Sequence, residues 1–79
     1  MNLEVEIIRR AVKDLDGGSS NNQQSSLQYL NSNNFVNDCK TSAIDHLWVQ
    51  REVQSAMGEE GVRRKYLINK LSNDLIFYN

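Results

Sequence analysis

A chain of 79 residues makes one domain with a small core, because proteins of this size bury only about 60% of the surface their unfolded state exposes. Apolar residues are 39% of the chain, proline is absent, and nine cations face ten carboxylates for a net charge of −1. That balance argues against a dedicated nucleic-acid binder, which draws most of its affinity from a basic excess. No run of about 18 apolar residues offers a membrane span.

The first predicted helix covers residues 3–15. Leu3, Ile7, Ala11 and Leu15 fall on one stripe at spacing four, with Ile8 and Val12 beside them. Asn2 is the candidate cap. Glu4 and Glu6 precede Arg9, Arg10 and Lys13, an order that complements the helix dipole. Gly17 is the expected stop. The opening MNLEVEIIRR has acids where a secretory signal carries basic residues, so no signal peptide is expected.

Residues 16–26, DGGSSNNQQSS, contain no apolar side chain. Nothing in them can be buried to offset the entropy of ordering, so they read as a flexible polar linker between helix 1 and a helical core over 27–79. A recognition loop that orders on a partner is the second reading of the same stretch.

Ser25 and Gln28 have capping-box spacing and open a short element through Leu27, Tyr29 and Leu30. Ser32 then caps a helix over 33–43 whose apolar stripe is Phe35, Cys39 and Ala43. Ile44-Asp45 is the predicted corner, and Asp45 caps a helix over 46–57 that buries Val49, Val53, Ala56 and Met57, with Trp48 at its edge. Gly58 ends it. A last helix over 59–79 repeats Leu67, Leu71 and Leu75, flanked by Ile68 and Tyr66. Its apolar end, Leu75 to Tyr78, must pack on something, since termini otherwise fray. A short terminal strand is the competing assignment there.

No catalytic set is visible. His46 and Cys39 stand alone on opposite sides of the corner, whereas a Cys–His nucleophile needs both within hydrogen-bond reach. No enzyme, metal or cofactor is expected. Cys39 on the apolar stripe reads as a small buried hydrophobe. A lone cysteine cannot form an internal disulfide, which fits a reducing compartment and a cytoplasmic location.

The stretch Tyr29–Val53 resembles a pattern in small phage and prophage proteins of uncharacterised function. The pattern runs aromatic-Leu-x-Ser-x-Asp-Phe, then Cys, then Ala-Gly-Leu/Ile-Asp, then a helix with Val. Tyr29-Leu30, Ser32, Phe35, Cys39, Ile44-Asp45 and Val49 match it, while Asn34, Ala43 and His46 depart from its Asp, Gly and frequent Pro. The resemblance implies a mobile-element origin and a helical corner, and no activity.

The expected fold is all-α, a small bundle of four to five short helices with a helix-turn-helix-like corner, which a second copy could complete through the first and last helices. The leading functional expectation is a non-enzymatic regulatory protein that binds another protein, a host protein or itself. Leu47, Trp48, Phe77 and Tyr78 are the candidate anchors. The alternative is DNA binding, with His46, Gln50, Arg51 and Gln54 reading bases. In that case Arg63, Arg64 and Lys65 would hold phosphates.

Overall fold

The computed structural model describes residues 3–17 and 20–78. Five helices follow one another: α1 (Leu3–Gly17), α2 (Ser20–Leu30), α3 (Asn33–Thr41), α4 (His46–Met57) and α5 (Gly61–Leu75). A 3-10 turn over Ile76–Tyr78 closes the described chain, and no strand occurs among the described residues. The protein is all-α, as its periodicity indicates.

α1 packs against α2, α3 and α5, and α4 packs on α3 and α5. The core residues of α1 are Val5, Ile8, Val12 and Leu15. This corrects the expected stripe. Leu3 and Ile7 point outward, and Ala11 is only partly buried. Both sets have helical spacing, so periodicity alone could not choose between them. The chosen face places three β-branched side chains inside and leaves Arg10 and Lys13 in solvent.

The expected linker is helical at residues 16, 17 and 20–26. Leu30 and Ser26 of α2 are buried, and Leu27 packs on the core. Once that turn is docked, each further residue toward the N-terminus adds one hydrogen bond at low entropic cost. Ser26 is small enough to let α2 approach α1. The Gln23 side-chain amide donates to the Leu15 carbonyl at 3.2 Å and so ties α2 to the end of α1. Ser25 and Gln28 therefore lie inside a helix instead of opening one. Asn2, the candidate cap of α1, lies outside the described residues.

The joints were more legible. Ser32 caps α3, its hydroxyl oxygen accepting from the Phe35 N–H at 3.2 Å. Asp45 caps α4 and accepts from the Leu47 and Trp48 N–H groups at 3.0 and 3.4 Å. Between them α3 stops at Thr41, two residues earlier than expected, and the turn falls on Ser42-Ala43. Ala43 has φ 58°. The Ile44 N–H donates to the Cys39 carbonyl at 2.8 Å, and the Ala43 N–H to the Lys40 carbonyl at 3.3 Å. This pairing is the Schellman arrangement, with buried Ile44 and Cys39 as its apolar contact.

α5 buries Ile68, Leu71, Ser72 and Leu75, with Leu67 only partly covered. Gly61 enters the helix at φ 59°, a backbone region that favours glycine. The helix begins two residues later than expected and gives way to the 3-10 turn at Ile76.

Two stability predictions follow from these joints. Ala43 sits where an L side chain costs about 1–2 kcal/mol. Part of that is offset by glycine's larger unfolded-state entropy, so Ala43→Gly should stabilise the fold by about 1 kcal/mol, read from urea midpoints. The Ser72 hydroxyl is buried without a hydrogen-bond partner. Ser72→Ala keeps the backbone carbonyl that accepts from Arg9 Nε at 3.0 Å. It should also stabilise by about 1 kcal/mol, the usual scale for relieving an unsatisfied buried group.

Candidate functional site

Among the described residues no three His, Cys, Asp or Glu side chains are grouped to hold a metal ion. Among the same residues no helix is long and apolar enough to cross a membrane. The chemistry-bearing side chains serve packing. Cys39 is buried, and its thiol is pushed up from about 9 to about 11 by burial, with the nearby Asp38 and Asp45 carboxylates adding to the effect. The Tyr29 hydroxyl donates to Asp38 Oδ2 at 2.6 Å. Burial and that carboxylate hold the phenol well above its ordinary value. The Tyr29 ring meets Phe35 edge to face at 5.8 Å and 78°, a favoured aromatic geometry. Tyr29, Asp38 and Cys39 thus form a locked joint between α2 and α3, with no exposed nucleophile.

The four candidate protein anchors do not share one environment. Leu47, in the first turn of α4, is 59% exposed, and Phe77 in the terminal 3-10 turn is 88% exposed. Trp48 is half-buried and packs on the core. The Tyr78 side chain lies outside the described residues.

The DNA-reading set is also divided. The Gln50 amide donates to the Leu30 carbonyl at 3.1 Å, which caps the end of α2. His46 is half-buried. Arg51 and Gln54 remain exposed. Arg64 donates from Nε to the Glu59 carbonyl at 2.9 Å and from Nη2 to the Met57 carbonyl at 3.4 Å. Met57 is the last residue of α4 and Glu59 lies in the turn beyond it, so Arg64 ties α5 to the end of α4 and its charge complements that helix's dipole. Arg63 lies 3.9 Å from Glu59 with its side chain 81% exposed, and such a pair holds a side chain only weakly. Lys65 is exposed.

The sequence reading set Tyr66 beside the leucine stripe and passed over Val62, and the structure turns both outward. Val62 and Tyr66 are one turn apart on α5 and are 83% and 64% exposed. They stand opposite Ile68, Leu71 and Leu75. The signal was present, because i, i+4 spacing out of phase with the leucine repeat marks a second apolar stripe. No family model matches the chain, and neither a curated protein nor a solved structure matches it.

A pH prediction comes from the buried joint. Cys39 ionises more readily unfolded than folded, and the Tyr29 phenol is shifted in the same direction. Stability should therefore be intact below pH about 9 and decline as pH rises toward about 11. Urea midpoints at pH 8 and pH 10.5 measure it. Cys39→Ala should reduce the decline without abolishing it, because Tyr29 remains.

Proposed function

We propose that this chain is a small non-enzymatic regulatory protein of phage or prophage type that acts in the cytoplasm by binding another protein. The observation that supports this reading best is Phe77. Leu75 closes the core with no exposed surface, and two residues later the chain holds a phenylalanine almost wholly in solvent. Leu47 adds a second large apolar side chain outside the core. Aromatic anchors carry much of the energy at interfaces. The partner is a host protein or a second copy of the chain.

Sequence-specific DNA binding is less well supported. Two of its seven named residues, Gln50 and Arg64, donate to backbone carbonyls within the bundle. The outward face of α4 retains one cation, Arg51, beside Leu47 and Gln54.

Affinity capture from host lysate, paired with light scattering of the purified chain, tests the proposal. The expected result is a specific captured protein, or a concentration-dependent dimer, lost on Phe77→Ala or Leu47→Ala while the helical circular dichroism is unchanged. Capture or dimerisation that survives both substitutions would remove these anchors. Retention of duplex DNA alone would overturn protein binding.

A further inference from the structure

We propose that the outward face of α5 is a docking surface for an acidic protein segment that carries a large apolar anchor residue. This assignment deepens the protein-binding reading and rests on it. α5 carries four cations, Arg63, Arg64, Lys65 and Lys70, against one carboxylate, Asp74, for a net +3. The rest of the chain carries five cations against nine carboxylates, a net −4. Charge is thus segregated onto one helix in a protein that is nearly neutral as a whole.

Within α5 the segregation follows the helical period. At 100° per residue, Tyr66 lies directly opposite the middle of the buried stripe, with Val62 and Asn73 close to the same line. Arg63 and Lys70 flank this line on one side, Lys65 stands about 100° round on the other beside the edge of the buried stripe, and all three are exposed. Clefts open on both sides of the Tyr66 ring. One, of about 340 Å³, is lined by Val62, Arg63, Tyr66 and Leu67. The other, of about 380 Å³, is bounded by Tyr66, Asn69, Lys70, Asn73 and Asp74. An apolar centre inside a cationic rim is the complement of an amphipathic segment with an apolar anchor between carboxylates, which would lie along the groove.

A nucleic acid shares the negative charge but fits less well. α5 is about 22 Å long, in a molecule of 32 × 23 × 21 Å. A polyanion longer than this helix meets the acidic remainder of the surface. Three outward cations also give few phosphate contacts, whereas an acidic peptide segment touches only α5.

Panning a displayed library of random 16-residue peptides on the full-length chain tests the assignment. Selected peptides should be rich in Asp and Glu around Leu, Phe or Trp. Their affinity should fall at least tenfold on Tyr66→Ala and at least tenfold on Lys70→Glu, and should weaken as salt rises. All substituted positions are exposed, so circular dichroism and the urea midpoint should stay at wild-type values. Absence of enrichment, enrichment of basic or uncharged peptides, or binding that ignores both substitutions would overturn the assignment. So would a 20-nucleotide thymidine oligomer that binds more tightly than the best peptide. Any of these results beside a lysate capture that depends on Phe77 would leave the protein-binding reading standing and remove only this surface.

Discussion

Val5, Ile8, Val12 and Leu15 of α1 form the inner stripe against which α2, α3 and α5 all rest. Three of the four have no exposed surface, and Leu15 is nearly as buried. In a chain this short the apolar area is only just sufficient for a core, so one helix must serve several neighbours. α1 does so because its inner residues recur at spacings of three and four along about three turns. Arg9, at the border of this stripe, reaches across to the Ser72 carbonyl and ties α1 to α5 by a polar bond as well. The bundle therefore closes around its N-terminal helix, even though the densest local sequence signals lie in residues 27–57.

Those signals describe a joint. Ser32 and Asp45 satisfy the N–H groups that open α3 and α4, while the hydrogen bonds of Ile44 and Ala43 satisfy the carbonyls that end α3. The departure from glycine at position 43 does not remove the corner. It places an alanine in a left-handed conformation, and burial of Ile44 and Cys39 holds it there. A strained alanine persists where its neighbours over-determine the backbone. The corner resembles a helix-turn-helix in outline. Its second helix, however, directs Gln50 into the bundle and carries Asp45 at its start, where a phosphate would otherwise approach.

Helix type and the two caps were legible because each rests on interactions within four residues. The face of α1 was not, because Leu3-Ile7-Ala11 and Val5-Ile8-Val12 are both apolar stripes, and only the helices packed against α1 distinguish them. α2 was hidden for a related reason. Its polar composition has no intrinsic driving force to fold, and the helix extends from an anchored Leu27–Leu30 turn that local propensity does not weigh. The functional residues divide in the same way. Phe77 and Leu47 are exposed, whereas Arg64 and Gln50 looked free because their partners are backbone carbonyls at or just beyond other helix ends. Tyr66 was set beside the leucine repeat of α5, and Val62 passed over, because the two form a second stripe out of phase with that repeat.

The two faces of α5 are chemically independent, and this separates folding from recognition. Its inner face supplies Ile68, Leu71 and Leu75 to the core, and its outer face contributes almost nothing to burial. Arg64 is the exception, since its guanidinium holds the carbonyls of Met57 at the end of α4 and of Glu59 in the turn that follows, and so belongs to the fold. A solvated cation such as Lys65, Lys70 or the loosely paired Arg63 adds little to stability by itself. Val62 and Tyr66 likewise gain little from an exposed position in the folded chain. Three cations and two apolar side chains on the outward side are thus weakly constrained by the fold, which leaves them available for the docking proposed above. In that proposal the acidic remainder of the protein disfavours any anionic partner too extended to be contained on the one basic helix.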